Sequence, residues 1–119
     1  MTTEKLSEHF SRSEFVCRCG CGKIKIEPRL IAALEELRVL TGQPIHINSG
    51  YRCPAHNRAV GGETNSFHMK GYAADITCRG LTPRQVKKLA EKIPAFKGGG
   101  IGLYPGFTHV DVRGYIARW

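Results

Sequence analysis

Leu30, Ile31, Leu34, Leu37 and Leu40 recur at helical spacing. The spacing predicts an amphipathic helix packed on a core, opening at Pro28 and ending at Gly42. Pro44-Ile-His-Ile-Asn48 alternates apolar and polar and predicts a strand. Tyr72 to Thr77 predicts a second strand, and Pro54 to Val60 a short helix stopped by Gly61-Gly62. Thr82-Pro-Arg-Gln85 is a capping box with proline at the first helical position. Val86, Leu89, Ala90 and Ile93 supply the buried stripe of the helix it opens. Gly100 to Tyr104 and Thr108 to Val112 form a closing hairpin that turns at Pro105-Gly106. Ser11-Arg-Ser-Glu14 has capping-box spacing and opens a short helical turn, and Gly20 to Gly22 breaks the chain.

Helices and short strands mix here without βαβ regularity. The fold class expected is α+β, with a central antiparallel sheet and helices packed on one side. At 119 residues the chain makes one domain, residues 1–119.

Composition narrows the function classes. Hydrophobic residues at 41% and charged residues at 24% are those of an ordinary globular protein. No apolar run approaches the ~20 residues of a membrane span. The segment Met1 to Phe10 lacks the basic start and apolar stretch of a secretory signal. The expectation is synthesis in the cytoplasm. The net charge of +8 suits a polyanion such as nucleic acid, an anionic membrane or an anionic cell wall, or a merely solvated surface. The basic residues are scattered, with Lys87-Lys88 the single adjacent pair, and no nucleic-acid module is visible.

Cys17, Cys19, Cys21, Cys53 and Cys78 make an odd set, which argues against a full disulfide framework. Cys17-Arg-Cys-Gly-Cys21 is too tightly spaced for a standard C-x-x-C knuckle. Free or loop-packed thiols are the favoured reading. A structural metal with two ligands from this run, completed by Cys53 or Cys78, is the other.

Candidate chemistry lies in two segments. His68 sits just before a glycine-containing turn and Asp75 on the strand after it, in Ser66-Phe-His-Met-Lys-Gly-Tyr-Ala-Ala-Asp75. In His109-Val-Asp111, residues two apart on a strand point to one face. Together they offer two histidines and one carboxylate as ligands, with a second carboxylate to spare. Catalytic zinc takes three such ligands and keeps a position open for water, whose pKa falls to about 7. A spare carboxylate can accept the water's proton.

Ser-x-His-x-x-Gly-x-Ala-x-Asp followed by His-x-Asp resembles the M15 family of zinc D-Ala-D-Ala peptidases. Ser49 to Asn57, Gly98 to Pro105, Phe107 to Arg113 and His9 to Phe15 also resemble a branch of small phage-encoded and bacterial cell-wall peptidases. The resemblance covers nearly the whole chain. It implies a compact fold with a central antiparallel sheet, shared with hedgehog signalling domains and glycopeptide-resistance dipeptidases. It implies Zn2+ on His68, Asp75 and His109, a catalytic base or polar group at Asp111, and a substrate-anchoring arginine at Arg52. Several relatives carry Glu-x-x-His or His-x-His where this chain has His-x-Asp, so both the base and the choice between His109 and Asp111 as ligand stay open.

A guanidinium fork binds a terminal carboxylate bidentately, which gives Arg52 a clear use in a carboxypeptidase. Ser66 either binds substrate or caps its turn, and Tyr104 either steadies a tetrahedral intermediate or packs in the core. His9, His46 and His56 have no partner at ligand spacing. The glycines from Gly98 to Gly102 lack the lysine of a phosphate loop and let the backbone pass close to the metal site.

The resulting expectation is a monomeric zinc metallopeptidase acting on peptidoglycan stem peptide, phage-encoded or virion-associated. It would cut as a D-Ala-D-Ala carboxypeptidase or as an L-Ala-D-Glu or cross-link endopeptidase. The alternative is a non-catalytic, zinc-containing cell-wall module of the same fold.

Overall fold

The structure, a computed structural model, describes residues 4–119. Met1, Thr2 and Thr3, which open the segment read for a secretory leader, lie outside the described residues. Helix α1 spans Pro28–Thr41, and Gly42 closes it in the left-handed conformation at φ 64°. That conformation favours glycine because it has no Cβ to clash. Leu30, Ile31, Ala33, Leu34 and Leu37 form its buried stripe. Leu40, expected on that stripe, is 45% exposed. At ~100° per residue it has rotated away from the stripe's centre by the last turn.

Strand β1 is Ile45–Ser49, α2 is Pro54–Ala59 and β2 is Ala73–Cys78. Helix α3, Pro83–Ala90, opens on the predicted capping box. The Gln85 amide donates to Thr82 Oγ1 at 3.2 Å, and the Thr82 amide to Gln85 Oε1 at 2.8 Å. Val86 and Ala90 are buried on α3, while Ile93 is buried just beyond it. A four-residue helix, α4 at Pro94–Lys97, then leads into β3 at Gly100–Leu103 and β4 at Thr108–Asp111. Strand β5, Ala117–Arg118, ends the sheet.

The strand order is β1-β2-β4-β3-β5. The pairs among β1, β2, β4 and β3 are antiparallel, as expected, while the short β5 runs parallel to β3 at the edge. Ala74, Ile76, Ile101 and Val110 are fully buried on the face covered by α1, α3 and α4. Burying each large aliphatic side chain there contributes roughly 1.5–3 kcal/mol.

The opposite face carries a single row across four strands. Ser49 pairs with Asp75, Asp75 with His109, and His109 with Gly102. Ser49 reaches this row through an irregularity in β1. Ile47 pairs with Ile76 and Ser49 with Asp75, so Asn48 is an extra residue. Such a bulge changes which face the next side chain meets.

Candidate metal centre

His68 stands on a 3-10 turn, Phe67–Lys70, between Ser66 and Gly71. Ser66 Oγ accepts from the His68 amide at 3.2 Å, so Ser66 caps the turn. Gly71 ends it at φ 76°, and a Cβ there would lie 2.3 Å from the Lys25 carbonyl oxygen. Both conformation and space therefore require glycine at this position. The turn delivers His68 beside the Asp75–His109 row. The ligand atoms of His68, Asp75 and His109 lie within 4.8 Å of one another, and all three residues are buried.

The outer partner of each imidazole decides what its inner nitrogen presents. His68 donates from Nδ1–H to the Gly50 carbonyl at 2.8 Å. His109 donates from Nε2–H to Asp111 Oδ2 at 2.7 Å. In the neutral rings, His68 Nε2 and His109 Nδ1 are therefore bare, and each lies 3.1 Å from Asp75 Oδ1. Three lone pairs converging in a buried space repel unless a proton or a cation joins them. Two imidazoles and a carboxylate, each imidazole held from behind by a carbonyl or a carboxylate, are the donor set and support that zinc uses. The residues fit the ion.

Protons can take the cation's place: with the inner nitrogens protonated, burial would still raise the Asp75 carboxyl, but the hydrogen bonds that His109 and His68 then donate outweigh it and hold Asp75 well below the usual carboxylate range. Burial would lower His109, but its bonds to Asp111 and Asp75 prevail and raise it. Asp111 follows Asp75: burial opposes ionisation, and His109 and Arg113 overcome it.

Asp111, expected as a catalytic base or polar group, does not line the cavity. Its side chain is 0% exposed and lies behind His109, away from the cavity. Both of its oxygens are taken. Arg113 donates from Nε to Oδ1 at 2.9 Å and from Nη2 to Oδ2 at 2.7 Å, and the Gly100 amide donates to Oδ1 at 2.8 Å. A Cβ on Gly100 would meet Asp111 Oδ2 at 2.3 Å, so the glycine admits the carboxylate. Asp111 orients His109 and holds its Nε2 proton. Arg113, quoted in the sequence motif without a role, is the group that neutralises Asp111.

Arg52, expected as a substrate anchor, lines the cavity and also holds Asp75. It donates from Nη2 to Asp75 Oδ2 at 3.0 Å, from Nε to Ser49 Oγ at 3.2 Å and from Nη1 to Asn57 Oδ1 at 3.4 Å. The fork reaches the cavity wall with its charge paired to Asp75 and three of its five N–H donors engaged.

A cavity of about 520 Å³ opens in front of the three candidate ligands. That volume suits a short peptide segment. Tyr104 lines it rather than packing in the core, stacking on Phe107 at 4.4 Å. Its hydroxyl accepts from Trp119 Nε1 at 2.8 Å and keeps its own proton free to donate. Trp119 lies 4.9 Å from the His109 ring, and a Cβ on Gly102 would meet its indole at 2.5 Å. Trp119 escaped the sequence reading because nothing in its spacing ties it to the motifs. Ser66 and Glu63 line the cavity too.

A family model described as Peptidase M15 matches residues 8–111. The probable peptidoglycan L,D-endopeptidase MepK of Haemophilus influenzae is 31% identical over an alignment of 105 residues that covers 80% of this chain and 54% of that protein. The chain thus spans about half the length of the curated relative it matches. The family match takes in His68, Asp75, His109 and Asp111 together with the strands that align them, and this chain belongs to the M15 family of peptidases.

Proposed function

We propose that this chain hydrolyses a peptide bond next to a D-amino acid inside peptidoglycan stem peptide, as an endopeptidase with zinc on His68, Asp75 and His109. The observation that carries the reading is the convergence of His68 Nε2, Asp75 Oδ1 and His109 Nδ1, with the outer nitrogens already bonded. The relative's name points to the same substrate polymer. Bound zinc supplies an acidified water and a Lewis acid for the scissile carbonyl.

The chain's own groups divide the remaining work. Asp111 and the Gly50 carbonyl hold the two imidazoles in the tautomers that face the cavity. Arg52 holds Asp75 in place through an ion pair at 3.0 Å. The Tyr104 hydroxyl donates to the oxyanion that develops on the substrate carbonyl. Glu63 is the carboxylate besides Asp75 that lines the cavity among the described residues, and it accepts the water's proton.

The relative's printed name, an L,D-endopeptidase, and the pairing of the cavity's cations support the internal cut. Arg52 and Arg113 are the lysine or arginine side chains lining the cavity among the described residues, and both are paired to carboxylates. Each keeps N–H donors beyond those bonds, but its charge is already paired, which weakens its use as a clamp for a terminal carboxylate. The test is digestion of purified peptidoglycan, with products identified by mass spectrometry. New internal cleavage products from the native chain and none from His68→Ala are expected. Equal product from both proteins, or release of terminal D-alanine alone, would overturn the reading.

A further inference from the structure

We propose that Cys17, Cys19, Cys21 and Cys53 bind a zinc ion of their own, a tetrathiolate site that ties the N-terminal loop to the start of α2. The four sulfurs lie within 4.8 Å of one another. Cys19 Sγ sits 3.5 Å from Cys17 Sγ and 3.6 Å from Cys53 Sγ. Around a zinc with Zn–S distances of about 2.3 Å, tetrahedral sulfurs are separated by about 3.8 Å. Cys19 is thus near-equidistant from two partners, the arrangement of a coordination shell rather than of one cystine.

Backbone amides are aimed at the sulfurs. The Cys53 amide donates to Cys17 Sγ at 3.3 Å, the His56 amide to Cys53 Sγ at 3.4 Å and the Lys23 amide to Cys21 Sγ at 3.4 Å. Amide donors of this kind stabilise thiolates, the form that ligates metal. The tight spacing of the three loop cysteines is reconciled by glycine. Gly20 at φ 87° and Gly22 at φ 75° turn the chain in the left-handed region, so residues 17, 19 and 21 curl around one point. Cys78, on β2, is outside the cluster.

The site has a structural consequence for the cavity. Cys53 caps α2 and follows Arg52 directly, and Arg52 holds Asp75. Cys17 and Cys53 are buried with Tyr51, whose amide donates to the Phe15 carbonyl at 2.9 Å. A metal at the four sulfurs would anchor the segment that positions Arg52.

The test uses the full chain, purified reduced. Cobalt(II) added to the His68→Ala chain should give the sulfur-to-cobalt charge-transfer bands and strong visible bands of a tetrahedral thiolate site. Elemental analysis should find about one zinc per chain in that variant. Cys19→Ser and Cys21→Ser replace exposed ligands and should abolish the bands, whereas Cys78→Ala should keep them. Chelation should expose the four thiols to a thiol reagent and lower Tm by on the order of 10 °C. The unsubstituted chain, titrated with cobalt, gives the same readout if a variant fails to fold. Absent thiolate bands in that reduced chain, or a reduced His68→Ala chain that folds but holds no zinc, would overturn the proposal.

Discussion

His109 bridges two carboxylates through opposite edges of one ring: Nδ1 lies 3.1 Å from Asp75 Oδ1 and Nε2 lies 2.7 Å from Asp111 Oδ2. The inner edge faces the cavity and the outer edge faces a buried ion pair with Arg113. We propose that Asp111 acts as a positioning residue for His109. Asp111→Asn should weaken zinc binding by about 10–100-fold, the usual loss when the outer partner of a ligand histidine is removed. A base would behave otherwise, losing kcat with metal affinity intact. Zinc affinity measured by competition with a chelator separates the two, and unchanged affinity would return Asp111 to a catalytic role.

Glu63→Gln should show the converse pattern. Glu63 lines the cavity and is exposed, so removing its charge leaves the His68, Asp75 and His109 cluster undisturbed. Zinc content should stay at the native level while kcat falls by roughly 10²–10⁴-fold, the usual contribution of a general base. Native kcat in a fully metallated Glu63→Gln protein would exclude it as the proton acceptor.

Glu35 on α1 is a third site where a charge does defined work. It accepts from the His9 amide at 2.7 Å and from Ser7 Oγ at 2.5 Å, and meets His9 Nδ1 at 2.7 Å. These bonds pin the N-terminal segment to α1. Burial would raise the Glu35 carboxyl, but the bonds from Ser7 and His9 prevail and lower it. A carboxyl lowered by folding stabilises the fold above its unfolded pKa of about 4.3, and the effect is lost as pH falls through the lower folded value. Glu35→Gln should therefore destabilise the chain by about 1.5 kcal/mol near neutral pH, in the range of bonds to a charged group. The gap should close in acid. Urea unfolding of both proteins across that pH range checks the sign, and a gap that widens in acid would contradict it.

How far the residues announce this architecture differs from element to element. Pro28 and Gly42 bound α1 because one lacks an N–H and the other tolerates positive φ, and both effects are local. The period of two placed His109 and Asp111 on one face, as found. Periodicity says nothing about which ring edge a carboxylate meets, and that orientation set the role of Asp111. The bulge at Asn48 breaks the period, so the alignment of Ser49 with Asp75 was not visible in advance. Strand β5 is two residues long and carries no alternation at all. Its docking brings Trp119 over His109, a contact made by tertiary packing alone. The close cysteine spacing favoured free or loop-packed thiols over a structural metal, because the left-handed turns at Gly20 and Gly22, which bring the sulfurs together, are a backbone property hidden from residue counts.

Arg52 distinguishes an internal cut from a terminal one. Its guanidinium is committed to Asp75, Ser49 and Asn57, with 15% of the side chain exposed. A clamp for a terminal carboxylate would have to use the fork's remaining N–H on Nη1 and on Nη2 while its charge stays paired with Asp75. Peptides ending in a free acid or an amide should then be cleaved by the native enzyme with kcat/KM equal within about threefold, well under the tenfold that 1.4 kcal/mol represents. Arg52→Ala should lose activity through Asp75 instead. With the guanidinium gone, burial works against the Asp75 charge and the ligand loses its orientation, so zinc affinity should fall along with kcat. Arg52→Lys keeps the charge but not the planar fork, and should recover only part of the loss. Both variants should still treat the two peptides alike, because neither removes a carboxylate clamp. A native enzyme that strongly prefers the free acid, with the preference abolished in Arg52→Ala at full zinc content, would show that Arg52 leaves Asp75 to grip the substrate.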